Sequence, residues 1–89
     1  MARPGRAMRR ESRLTHLSEQ ERAKLASLGA RIAAAREARG WTIAELAARA
    51  TVDASFAGEL ERGRANPSIR TVIRLADALG VALPELFDF

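Results

Sequence analysis

Apolar positions recur along the chain at helical spacing, and no stretch shows the strict alternation of a strand. The first run sets Leu25, Leu28, Ile32 and Ala35 on one face. Ser18 and Glu21 stand ahead of it as a capping box, the hydroxyl serving the N3 amide and the carboxylate reaching back. Arg36 and Arg39 lie where cations suit the C-terminal end of the helix dipole, and Gly40 ends the run. The spacing predicts a first helix over about 19–39.

Thr42 and Glu45 form a second capping box, with Trp41 just before it. Trp41 reads as a packing residue that closes the first helix against a second over 43–49, whose Leu46 and Ala47 face inward. Thr51 and Val52 make a turn, and Asp53 caps a third helix over 54–62 with Ala57 and Leu60 inward and Phe56 at the margin. Gly63 stops it, and a loop from Arg64 to Pro67 leads to Ser68, the cap of a fourth helix over 69–79. Its apolar stripe is Ile69, Val72, Leu75, Ala76 and Leu79, and Gly80 terminates it. A short fifth helix over 83–87 carries Pro84 in its first turn, where proline is tolerated. The expected fold is all-α: a compact five-helix domain over 18–89, preceded by a flexible basic arm over 1–17. Its second and third helices are short and closely spaced, the common device for presenting one helix to the major groove of DNA.

Composition narrows the function classes. The chain of 89 residues is 47% hydrophobic, but much of that fraction is alanine, so the core must be thin. A dimer interface could supplement it, and the apolar ending offers Leu83, Leu86, Phe87 and Phe89 for a two-fold patch. Cysteine is absent, which excludes disulfides and cysteine-bound metal. His16 is a lone histidine with no ligand set, so neither metal nor cofactor is expected. No nucleophile–base pair or carboxylate constellation suggests an enzyme. No long apolar run follows the basic start, so neither leader nor membrane span is expected, and the expected location is the cytoplasm or the nucleoid.

Charge is uneven. Residues 1–24 hold seven basic and three acidic side chains, and residues 25–89 hold eight of each. The net charge of +4 therefore belongs to the N-terminal stretch. Arg3, Arg6, Arg9, Arg10 and Arg13 could follow a phosphate backbone by counterion release, enter a narrow minor groove, or simply stay solvated.

The pieces LGARIAAAREARGWT, ELA, SF..ELERG, NPS, T..RLA.ALGV and the final ELF stand in an order and spacing that resembles the lambda-repressor-like helix-turn-helix family, also called the Cro or xenobiotic-response-element (XRE) type. The resemblance runs from Leu28 to Phe87, about two thirds of the chain. It implies that the second helix crosses the DNA backbone and that the third enters the major groove. It puts Ala54, Ser55, Gly58 and Glu59 on the face that reads bases. Thr42 and Ile43 then begin the backbone-contacting helix, where the family often has Thr-Gln. Arg64, Asn66 and Ser68 fall where the family meets phosphate, and Arg62 and Arg70 lie near the same end.

That reading face is thin. Ala54 offers a methyl group, Gly58 nothing, and Ser55 a hydroxyl without base preference. Glu59 could accept from cytosine or pair with Arg62 or Arg64 across one turn. Ile43 gives phosphate no hydrogen bond. Two functions remain open. One is a sequence-specific, dimeric repressor of transcription bound to double-stranded DNA. The other is a protein-interaction module on the same fold, an antiactivator or antitoxin-like partner with reduced DNA reading. Neither requires a small-molecule ligand.

Overall fold

The structure, a computed structural model, describes residues 17–89. Four α-helices and a closing 3-10 helix follow one another, with no strand among the described residues. They are α1 (Glu19–Ala38), α2 (Ile43–Ala50), α3 (Ala54–Glu61) and α4 (Ile69–Leu79), then the 3-10 helix Leu83–Phe87.

Each α-helix starts where a side-chain oxygen satisfies an otherwise unpaired amide. Ser18 Oγ accepts from the Glu21 amide at 3.0 Å, while Glu21 Oε1 accepts from the Ser18 amide at 2.9 Å. Thr42 and Glu45 repeat that reciprocal pair at 3.0 and 2.7 Å. Asp53 Oδ2 accepts from the Phe56 amide at 2.9 Å, and Ser68 Oγ accepts from the Thr71 amide at 3.1 Å. The last element is 3-10 rather than α. Proline in its first turn has no amide to donate, and only five residues separate Ala82 from Asp88.

Helix ends share a second device. After α1, α3 and α4 the chain turns back through Gly40, Gly63 and Gly80, with φ of 71°, 76° and 72°. At each, the amide of the residue after the glycine returns to a carbonyl in the helix's last turn: Trp41 to Arg36, Arg64 to Glu59, Val81 to Ala76. The end of α2 makes the same bonds, Val52 to Ala47 at 2.9 Å and Thr51 to Ala48 at 3.3 Å. There, however, the left-handed residue is Thr51, at φ 59°.

The core is one cluster, built from Leu28 and Ile32 of α1, Leu46 of α2, Leu60 of α3, Val72, Leu75 and Leu79 of α4, and Leu86. Each such side chain contributes about 1.5–3 kcal/mol on burial. α2 packs on α3 and α4, α1 on α3, and the 3-10 helix closes against α1 and α4. α1 approaches the end of α3 so closely that a Cβ on Gly29 would stand 2.2 Å from the Leu60 carbonyl oxygen.

Two expectations need correction. Leu86, expected at a dimer surface, is only 2% exposed because the 3-10 turn rotates it into the core, and Leu83 also packs against that core. Ile69, expected in the α4 stripe, is 59% exposed. It is the first residue after the Ser68 cap, where the helix has not yet reached its neighbours. Arg36 stands in the last turn of α1, as expected, and in addition turns inward to pair with Glu61.

Candidate nucleic-acid interface

α2, the turn through Thr51 to Asp53 and α3 form the helix-turn-helix, and two sets of contacts fix α3 in place. Ala57 and Leu60 bury its inner face. Glu61, at its C-terminal end, accepts from Arg36 of α1 through both oxygens, at 2.7 Å from Nε and 3.0 Å from Nη2. Arg36 Nη1 also donates to the Trp41 carbonyl at 2.8 Å, just ahead of α2. The two side chains are 13% and 7% exposed, so one guanidinium joins α1, α3 and the approach to α2 away from solvent. Its hydrogen bond to Glu61 raises the Arg36 pKa; burial opposes this, and the charges of Glu61 and Glu37 add to it.

Trp41 is half-buried against the core, with the Arg49 guanidinium 4.2 Å above its ring. This is the packing role its position before α2 suggested, with a cation–π contact that spacing alone did not indicate.

On the outer side of α3, Ala54 and Ser55 are exposed and Glu59 is half-exposed. Glu59 Oε2 pairs with Arg62 Nη1 at 3.2 Å, one of the pairings the sequence left open. Gly58 does not belong to an exposed face. It is buried, and a Cβ built on it would lie 3.9 Å from Ile43 Cδ1 and 3.2 Å from Arg62 Nη1. Ile43, half-buried, thus takes its place in the α2–α3 contact, and that packing accounts for an apolar residue where glutamine was expected.

The residues expected at phosphate sit at exposed helix starts and loops. Thr42 and Ser68 are exposed caps. The Thr42 hydroxyl accepts from its own helix and keeps a proton to donate outward, whereas Ser68 Oγ also lies 3.1 Å from Thr71 Oγ1. Arg62, Arg64 and Arg70 are exposed. Asn66 is exposed too, and it lines a groove of about 490 Å³ together with Leu17, Lys24, Leu25, Phe87 and Phe89. Phe87 and Phe89 are 42% and 53% exposed, their ring centroids 6.4 Å apart. Arg3, Arg6, Arg9, Arg10, Arg13 and His16 lie outside the described residues.

Gly29 and Glu61 matter to the site but were not singled out from sequence. A signal was present: Leu25, Gly29, Ile32 and Arg36 recur at i, i+4, i+7 and i+11, which puts both the glycine and the arginine on the apolar stripe. Among the described residues no cluster of histidine, aspartate or glutamate could hold a metal ion, and no helix is long and apolar enough to cross a membrane.

Comparison with known proteins bears on this geometry. A helix-turn-helix family model matches residues 32–86. An uncharacterized HTH-type transcriptional regulator of Sinorhizobium fredii, y4dJ, is 41% identical over 59 residues, 66% of this chain and 77% of that protein. The immunity repressor protein of Bacillus phage phi105 is 40% identical over 60 residues, 67% of this chain but only 42% of the phage protein. The crystal structure of C.AhdI, a restriction-modification controller protein from Aeromonas hydrophila, superimposes with a TM-score of 0.71 at 37% identity, covering 73% of this chain and 98% of that one. The chain belongs to the helix-turn-helix family of transcription regulators, of the lambda-repressor-like XRE type.

Proposed function

We propose that the protein is a sequence-specific DNA-binding repressor that acts as a dimer, with α3 in the major groove and the starts of α2 and α4 on the flanking phosphates. The observation that carries the reading is the fixing of α3. A buried bidentate ion pair at one end and a capped, tightly turned start at the other hold a short helix rigidly while its outer side stays open. Free amides at the capped starts of α2 and α4, the Thr42 hydroxyl, Arg64 and Arg70 would supply phosphate contacts. The arm arginines would add a salt-dependent increment. The phage relative, an immunity repressor, supports repression.

Dimerisation would use Phe87 and Phe89 beside the groove lined by Leu17 and Leu25, and would set two copies of α3 on one DNA face. A second reading, a protein-interaction module, draws on the exposed pair Ile69 and Ile73, 59% and 42% accessible on successive turns of α4. Its other motive is weaker, since Ile43 is half-buried and Gly58 is buried.

Selection of bound duplexes from a random pool separates the two. Enrichment of a palindromic site is expected; weak binding without enrichment would favour the interaction module.

A further inference from the structure

We propose that Arg62 reads a base rather than a phosphate, and that Gly58 and Glu59 position it to do so. The inference rests on the DNA-binding reading above and names its specificity residue.

Arg62 caps the C-terminal end of α3, on the same face as Ser55 and Glu59. A helical side chain covers the turn N-terminal to its own Cα, and Arg62 does so fully. Its Nη1 comes within 3.2 Å, and its Cζ within 4.0 Å, of the point where a Cβ on Gly58 would stand. The guanidinium therefore lies back along the middle of α3, over a patch that any larger residue at 58 would crowd.

Glu59 Oε2 holds the same Nη1 at 3.2 Å, which restrains the fork from swinging outward. Arg62 nevertheless remains 54% exposed, so its remaining N–H groups face solvent. An arginine splayed from the end of a groove helix would meet the phosphates beside it. One folded back along the helix between Gly58 and Glu59, with its free N–H groups in solvent, would be set towards base edges instead. The ligand chemistry that fits a planar fork of N–H donors there is guanine, through O6 and N7. The missing side chain at Gly58 is then what lets an otherwise bland helix present a directional donor.

The test uses the duplex selected by the wild-type protein and its set of single base-pair replacements, titrated at several salt concentrations with the wild type, Arg62→Lys and Gly58→Ala. The duplex selected by the wild type should contain one G·C pair per bound helix whose replacement weakens binding on the order of ten-fold. Arg62→Lys keeps the charge but not the fork. It should bind original and replaced duplexes within about two-fold of each other, with the salt slope unchanged. Gly58→Ala should lose discrimination at that same pair. Thermal melts of both variants confirm folding, and Arg62→Lys alters only an exposed side chain. Full wild-type discrimination in Arg62→Lys would overturn the inference and leave a phosphate contact. Failure of the wild type to enrich any site would overturn the DNA-reading function itself, a distinct result.

Discussion

Replacing Gly29 by alanine sets two influences on a helical glycine against each other. Helix propensity alone favours alanine by about 1 kcal/mol. Packing opposes it: the added Cβ would stand 2.2 Å from the Leu60 carbonyl oxygen and 2.7 Å from that of Glu61, where ordinary contact begins near 3.4 Å. Both neighbours are backbone, so no rotamer change relieves the clash, and α1 and α3 must part by roughly 1 Å. Overpacking costs about 1–3 kcal/mol and sometimes more, and a backbone clash belongs at the upper end. The net expectation is a loss of about 2 kcal/mol, or roughly 8–16 °C in Tm for a domain of this size. Circular dichroism melts of Gly29→Ala beside Ala30→Gly, on the exposed side of the same helix, supply the contrast. The second variant should lose about 1 kcal/mol through propensity alone. A Gly29→Ala protein that melts at or above the wild type would refute the close approach of α1 to α3.

Three further predictions follow from the same contacts. Glu61→Ala leaves the Arg36 guanidinium buried without its carboxylate and should cost about 3–5 kcal/mol in urea unfolding; a loss below about 1 kcal/mol would show that the pair does not hold α3. Thr51→Gly relieves a β-branched residue in a left-handed turn and should raise stability by about 0.5–1 kcal/mol after the entropy cost of glycine. A lower Tm would mean that the threonine side chain contributes there. Leu86→Ala should cost about 2–5 kcal/mol as a core truncation, whereas Phe89→Ala should leave unfolding within about 0.5 kcal/mol and weaken self-association in sedimentation. A wild-type protein that stays monomeric, free and on DNA, would remove the dimer.

What could be read from the sequence was what depends on near neighbours in the chain. Ser18 with Glu21, Thr42 with Glu45, Asp53 and Ser68 cap residues three positions away, so spacing alone marks the helix starts. The stripe Val72, Leu75, Ala76 and Leu79 likewise announces its buried face. The features that escaped depend on which element lies opposite. Arg36 sits near the end of its helix, where a cation also suits the dipole, and only the approach of Glu61 makes it a buried partner. Gly58 looked like an empty position on a reading face until Ile43 and Arg62 came to lie over it. Leu86 and Phe87 are adjacent and equally apolar, and the turn of the 3-10 helix decides that the first is buried and the second exposed. Thr51 gave no warning either, because the Schellman-type turn it completes elsewhere uses glycine.

The central claim is that a rigidly held α3 reads a particular DNA sequence. Its most direct test is fluorescence-anisotropy titration of the wild-type protein, in physiological salt, against the selected duplex and a scrambled duplex of the same composition. The selected duplex should bind tighter by a factor of at least about 10³. Equal affinities for the two duplexes would contradict it.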